Sequence, residues 1–320
     1  MTQSRFIALF IGGALLCWLL QHIGLQTILP LLQHIGWEFL WIGFYFLIPI
    51  ALAGQAWRTL FSKKLDRGFW PVFYASWIGL ACNWLLPVAQ IGGELAKARL
   101  LAKPEEDIEP WATMVIDKTF QVLTQLCFAF LGLALLMFHR LDKAILMGGA
   151  LAMIVLLVMA TLLLRLQKRG LFAMSSRLLQ KVLDQDKSAS LGRVSEKMDA
   201  RVREIYRTPL ALLRAFFWRM AFRFGMAGEI FLIMFLMGNP IDYHEAVILE
   251  SLSQTIRMAA FLVPGGLGAQ EGTITLIGSA LGIPSSMGLA LSLARRGREL
   301  LIGLPALFLW TLNLSPRKSN

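Results

Sequence analysis

Two glutamates, Glu94 and Glu271, sit in matching Pro/Gly settings, and a basic residue follows each at the same distance. The first run is Asn83-Trp84-Leu85-Leu86-Pro87-Val88-Ala89-Gln90-Ile91-Gly92-Gly93-Glu94, with Lys118 beyond it. The second is Pro264-Gly265-Gly266-Leu267-Gly268-Ala269-Gln270-Glu271, with Arg295 beyond it. Pro87 to Pro264, Glu94 to Glu271 and Lys118 to Arg295 are each 177 residues apart. A carboxylate after a Gly-rich turn stands where a helix begins, beside free N–H groups and a positive dipole end. There it can bind a cation, accept a proton, or only cap the amides. Lys118 and Arg295 lie in apolar sequence, where a lone charge costs on the order of 3 kcal/mol or more. They must face the protein interior or a water-filled cavity, with Glu94, Glu271, Asp117 and Glu299 as candidate partners. Together with Arg298 they can pair with an anionic group; the other reading is an ion-pair network that fixes helix packing.

Glu250, Gln254 and Arg257 are spaced i, i+4, i+7 and share one helical face. That face either lines a cavity or pairs with Arg219, Arg223 and Glu229 of the preceding segment. Arg219 has the further option of snorkelling to the interface. Lys97 and Arg99 are expected near the inner surface, as anchors or as attractors of anionic headgroups. Seven tryptophans between Trp37 and Trp111 are read as an aromatic belt.

These charges are positioned by long apolar segments. Of 320 residues, 57% are hydrophobic and 16% charged, and mean hydropathy is +0.62. A soluble domain carries roughly 25% charged residues. The apolar runs reach the ~20 residues that cross a bilayer core, and they do not alternate as barrel strands do. Fold and class follow: an all-α polytopic membrane protein. About eight crossings are expected, near 6–23, 37–57, 69–88, 111–137, 144–164, 211–236, 243–263 and 286–311. Two pieces, 91–102 and 270–282, are too short to span and read as half-helices of re-entrant hairpins.

Net charge is +11, and residues 165–208 hold eleven Lys/Arg against five Asp/Glu. This surplus reads as a positive-inside signal rather than a nucleic-acid footprint. With Arg58, Lys63, Lys64, Arg67, Arg317 and Lys318 also cytoplasmic, both termini are cytoplasmic. The parity then makes the second copy run opposite to the first, an inverted-topology repeat within a single membrane domain, 1–320. Repeat A is 37–138 and repeat B is 211–311. Residues 165–208 form a cytoplasmic, amphipathic, basic linker. Leu171, Met174, Leu178 and Val182, then Val194, Met198, Val202 and Ile205, suggest helices on the inner leaflet or a solvated helical linker. Cys17, Cys82 and Cys127 have no CxxC spacing and read as buried free thiols. The start of the chain reads as an uncleaved signal anchor.

The motifs Asn83-x-x-x-Pro87-x-x-x-x-Gly92-Gly93-Glu94 and Pro264-Gly265-Gly266-Leu267-Gly268-x-x-Glu271 resemble those of the lysylphosphatidylglycerol-synthase transmembrane, or flippase-like, family. The run Leu291 to Pro305 is similar to the subgroup associated with hopanoid biosynthesis loci. The resemblance covers essentially the whole chain. It implies a bacterial inner-membrane protein that handles lipids. Position 118 is Lys where the family suggests Arg, so charge is kept and bidentate grip is not. The attached soluble domain of bifunctional members is not seen.

Two functions are weighed. One is a flippase-like transporter of an amphiphile, whether a hopanoid, another isoprenoid-derived lipid or an anionic lipid. Its translocation residues would be Asn83, Pro87, Gly92, Gly93, Glu94, Lys118, Pro264, Gly265, Gly266, Gly268, Glu271, Arg295 and Arg298. Asp117, Glu250, Gln254, Arg257 and Glu299 would support them. The alternative is a non-catalytic scaffold for lipid-biosynthesis enzymes. With no metal-ligand cluster, Ser/His arrangement or nucleotide loop, neither a catalytic role nor a cofactor is expected. The expected partners are a membrane lipid and, in the scaffold reading, biosynthetic enzymes; nucleic acid is not among them.

Overall fold

A computed structural model describes residues 35–86, 92–103, 107–137, 185–259 and 269–314, with single positions between 147 and 165. Among the described residues the regular elements are all helical. The α-helices are α1 (Phe39–Arg58), α2 (Phe69–Leu85), α3 (Gly92–Leu101), α4 (Glu109–Met137), α5 (Gln185–Tyr206), α6 (Pro209–Leu236), α7 (Tyr243–Ala259), α8 (Ala269–Ala280) and α9 (Ser285–Leu314). The apolar runs expected from 37 onward coincide with α1, α2, α4, α6, α7 and α9. The expected crossing at 6–23 and the run 171–182 lie outside the described residues, and of the crossing at 144–164 only scattered helical positions are described.

Local sequence explains the boundaries. Pro110 and Pro209 stand in the first turns of α4 and α6, where a missing N–H costs nothing. Gly282, at φ 84°, closes α8: Ile283 N–H reaches back to Gly278 O at 2.8 Å, a bond that the left-handed residue makes possible. The short helices α3 and α8 have 10 and 12 residues. At 1.5 Å per residue neither reaches across a ~30 Å hydrocarbon layer.

The packing pairs elements from the two halves of the chain. α1 lies against α6, α2 against α9, and α4 against α7. Within each half, α3 packs on α2 and α4, and α8 packs on α7 and α9. One apolar cluster joins Ile42, Leu136, Ile230, Ile248, Ile274 and Leu291 near one end. Another gathers Trp57, Leu60, Ile116, Phe120 and Ala215 near the other.

The distribution of polarity is inverted relative to a water-soluble protein. Trp37, Trp41, Phe44 and Ile48 form an exposed stripe along α1 and its entry, and Leu300, Leu304, Phe308 and Leu312 form another along α9. Meanwhile Asp117, Glu229, Glu250, Arg295 and Arg298 are buried. Lipid tolerates the first arrangement and penalises charges turned outward, so the molecule is built for a membrane. Two stretches, Gly36–Arg58 and Glu109–Leu136, are each long and apolar enough to cross one.

α5 corrects one expectation. Met198, Val202 and Ile205 are buried against Trp57, Leu60, Phe61, Ile116 and Phe120, so this stripe faces protein instead of a leaflet. A buried carboxylate fixes the dock: Glu109 Oε1 accepts Ser62 N–H at 2.8 Å and Arg201 Nη2 at 2.7 Å, while Oε2 takes Arg201 Nε.

Candidate functional site

The site begins with a close approach of two backbones. A Cβ on Gly93 would stand 2.0 Å from Gly79 O, and one on Gly79 would stand 2.8 Å from Gly93 O. Only glycines let α3 lie this tightly on α2. Asn83, on α2, accepts Gly93 N–H on its Oδ1 at 3.0 Å, so a neighbouring helix satisfies one of the free amides at the start of α3. Glu94 and Lys97, one turn apart, are thereby turned inward.

Glu94 is held by Lys97 Nζ at 2.5 Å, Lys118 Nζ at 3.5 Å and Gln121 Nε2 at 3.1 Å. Lys97 Nζ also reaches Asp117 Oδ2 at 2.7 Å and lies 4.7 Å from the Trp57 ring centroid. Asp117, fully buried on α4, accepts a fork from Arg219 of α6: Nε at 2.9 Å and Nη2 at 2.6 and 2.5 Å. Gln121 Nε2 adds a contact to Asp117 at 3.3 Å. The chain Glu94–Lys97–Asp117–Arg219 therefore joins the two halves through charge-assisted bonds.

A second cluster is built on α6, α7 and α9. Arg298 donates to Glu229 at 2.7 and 3.2 Å, and its guanidinium sits 3.7 Å from the Phe46 centroid and 4.8 Å from that of Trp84. Arg295 contacts Glu250 at 2.9 Å and Glu229 at 3.4 Å. Glu299 meets Arg296 at 2.9 Å and Arg257 at 3.8 Å.

A cavity of about 130 Å³ lies between the clusters. That volume accommodates several water-sized groups, hence a small polar headgroup. Its charged lining is Glu94, Lys97, Lys118, Arg219, Arg223, Arg257, Arg298 and Glu299; Phe46, Trp84 and Phe222 supply an aromatic wall. Cations outnumber carboxylates in that lining. Lys118, whose side chain is 36% exposed, sits where the cavity meets the surface. Held in place by ion pairs and ring stacking, these groups can grip a charged ligand without reorganising.

The structure gathers Asn83, Glu94, Lys118, Gln254, Arg257, Arg298 and Glu299 around this cavity. Asp117, Glu250 and Arg295 stand behind it in the ion pairs, and Gly92 and Gly93 open α3. Pro87, Pro264, Gly265, Gly266 and Gly268 lie outside the described residues, as does the side chain of Glu271, whose backbone belongs to α8. Several expectations are corrected. Asp117 pairs with Lys97 and Arg219 rather than Lys118. Lys97 and Arg219 are interior, not interfacial. Of the face Glu250, Gln254 and Arg257, the last two line the cavity, and Glu250 pairs with Arg295 of α9. Trp57, Trp77 and Trp84 are not belt residues: Trp57 Nε1 donates to Thr113 at 3.1 Å, Trp77 Nε1 to Ile302 O at 3.1 Å, and Trp84 backs Arg298. Cys127 is exposed, not buried. Sequence reading missed Ser76, Gln121 and Phe222. Gln121 alone carried a signal, standing i+4 from Asp117 and i+3 from Lys118 on one helical face.

Residues 5–306 match a family model described as "Lysylphosphatidylglycerol synthase TM region". No curated protein and no solved structure matches the chain. The match supports a membrane protein of the lipid-modification, flippase-like kind. It also overturns the expectation that the chain is not an enzyme: the family is named for the membrane region of a synthase, which sets the chain among enzyme-related membrane proteins.

Proposed function

This chain belongs to the lysylphosphatidylglycerol synthase TM region family, and on that premise we propose that it carries the headgroup of an amphiphilic lipid between the leaflets. The carrying observation is one cavity, lined by charges from both halves, inside a molecule with an apolar outer face. The headgroup passes among the charges while the tails stay in surrounding lipid. A hopanoid, another isoprenoid-derived lipid and an anionic lipid are the candidate cargoes.

The proposal includes an inverted repeat of α1–α4 and α6–α9. Two features support it. The 177-residue offset relates the two sequence motifs, and each motif is followed by a short helix, α3 or α8. The halves exchange partners: α2 packs on α9 as α7 packs on α4, about a shared α1–α6 contact. A two-fold axis in the membrane plane produces such an exchange, and rocking about it would open the cavity to each side in turn. α2–α3 and α7–α8 would be hairpins entering from opposite faces. The basic segments 58–67 and 165–208, with both termini, would lie on the cytoplasmic side of a bacterial inner membrane.

The test is the leaflet distribution of candidate lipids, read with a membrane-impermeant label in intact cells. Wild type, a deletion and the pair Glu94→Gln with Glu271→Gln are compared. The expected result is cargo trapped in the inner leaflet in both mutants. An unchanged distribution in the deletion would sink the translocation reading. Normal distribution in the double variant alone would remove the glutamates from the site.

A further inference from the structure

Among the described residues, both carboxylates that line the cavity stand in ion pairs, although Glu94 Oε2 makes no aligned hydrogen bond, and several cationic and hydroxyl donors there have no hydrogen-bond partner. Glu94 is surrounded by Lys97, Lys118 and Gln121, and Glu299 by Arg296 and Arg257. By contrast Arg223 Nε, Arg298 Nη1 and Ser76 Oγ are buried with no hydrogen-bond partner among the described residues. All three residues line the same cavity, from α6, α9 and α2. Arg223 is only 7% exposed, yet among the described residues its one hydrogen bond is Nη2 to Gln121 O at 2.9 Å and it joins no ion pair. Arg298 cannot turn its spare nitrogen elsewhere, because Glu229 holds its other edge and Phe46 and Trp84 hold its face.

Buried donors left over in a cation-rich cavity call for a ligand that is an acceptor, carries negative charge and presents oxygens in several directions. A tetrahedral phosphate has that shape; a planar carboxylate presents its oxygens in one plane. A neutral polyol would leave the excess charge uncompensated, and a cationic aminoacyl headgroup would add to it. We propose that the cavity recognises a phosphate group, with Arg223 as its selecting residue and Ser76 and Arg298 completing the donor set. The inference rests on the translocation reading and names its ligand chemistry. The phosphate comes either from a lipid headgroup or from the free ion.

The experiment uses the full chain, purified in detergent. Binding is measured for dioctanoyl phosphatidic acid, for dioctanoylglycerol, which has the same tails without phosphate, and for inorganic phosphate. Phosphatidic acid should bind roughly tenfold or more tighter than dioctanoylglycerol, as charge-assisted bonds to a buried guanidinium require. Arg223→Gln should abolish that preference, and Arg223→Lys should restore part of it, because the charge returns without the fork. Restoration by Lys separates ligand recognition from helix packing, which the shape of Lys would not mimic. Competition by inorganic phosphate at matching concentration identifies the free ion as a ligand; its failure assigns the site to a lipid phosphate. Equal binding of the two lipids overturns the proposal, as does an Arg223→Gln protein that folds and keeps its preference. Should Arg223→Gln not fold, Ser76→Ala, which breaks no bond in the structure, must still weaken phosphatidic acid several-fold; no weakening overturns the proposal. Equal binding of the two lipids by the wild-type protein, combined with intact leaflet transfer, would remove this inference and leave translocation standing.

Discussion

Asp117 on α4 and Glu250 on α7 are both fully buried carboxylates, and they are held in opposite ways. Asp117 is saturated: Arg219, Lys97 and Gln121 all donate to it. Glu250 meets Arg295 Nη2 at 2.9 Å, but neither of its oxygens makes an aligned hydrogen bond. The first cluster is thus a lock, and Arg219 makes it a lock between halves. The second keeps slack, in the spare nitrogens of Arg295 and Arg298. Buried charges of the same kinds hold a structure rigid where every lone pair is used, and leave room for a ligand or a motion where some are not.

The largest effects should come from unmaking the lock. Asp117→Asn strands Arg219 as a buried cation, leaves Lys97 with Glu94 alone, and is expected to cost about 3–5 kcal/mol. Glu250→Gln removes a poorly aligned partner and should cost about 1–3 kcal/mol. Thermal unfolding of both variants in one detergent checks this. Equal losses would mean that saturation does not distinguish the clusters.

The two short helices sharpen the contrast. Gly93→Ala drives a methyl into Gly79 O, and should cost about 1–3 kcal/mol as α3 lifts from α2. Among the described residues, no atom lies within 4 Å of a Cβ built on Gly272 in α8. Gly272→Ala should therefore be neutral or stabilising, by up to about 1 kcal/mol from helix propensity. A destabilised Gly272→Ala protein would show that α8 is packed as tightly as α3.

A smaller effect is expected at the dock of α5, which seats chiefly on α4, with a lesser contact to α6. Arg201→Gln leaves Glu109 with Ser62 N–H alone and should loosen the helix by about 1–2 kcal/mol. Limited proteolysis within 165–208 reads this, since local opening exposes cleavage sites before the whole molecule unfolds. Unchanged cleavage would leave the apolar contacts of Met198, Val202 and Ile205 as the only dock.

The helices were legible because hydrophobic run length and Pro/Gly punctuation are local properties. α1, α2 and α4 start within two residues of the expected positions, and the 177-residue offset is an internal comparison that needs no tertiary information. The site was legible in part. Glu94, Lys118 and Arg298 were singled out because a charge in apolar sequence must find an interior. Lys97 and Arg219 were misplaced because they stand near segment ends, where sequence suggests snorkelling; the Gly79–Gly93 approach draws Lys97 inward, and Asp117 holds Arg219. Trp84 was lost in the belt because tryptophan serves an interface and a cation equally well, and only its neighbour decides. Ser76 has no sequence signal, since its part depends on two helices meeting.

The loops after α1 and α6 give the weakest test of the comparison and the sharpest in pH. After α1, Arg58 grips Asp66 at 3.0 and 2.7 Å, and Gly68 N–H donates to the same carboxylate at 3.0 Å. After α6, the chain caps itself with Asp242 N–H on Glu245 Oε2 at 2.9 Å, with His244 Nδ1 3.9 Å from the Asp242 carboxylate. The Arg58 hydrogen bond, aided by Gly68 N–H and the Arg58 charge, holds the Asp66 carboxyl below its usual value. A carboxyl depressed by folding stabilises the folded state above its unfolded pKa of about 3.9, and loses that contribution as pH falls through the folded value. Both side chains are about a third exposed, so screening keeps Asp66→Asn within about 1 kcal/mol of wild type. The difference between wild type and Asp66→Asn should stay constant from neutral pH to about 4, shrink below it, and weaken in high salt. A difference that fades between pH 6 and 7 would name another titrating group as the partner of this loop. A Glu245→Gln difference that is as sensitive to salt would remove the distinction between the two loops, since a carboxylate capping a backbone amide has no opposite charge for salt to screen.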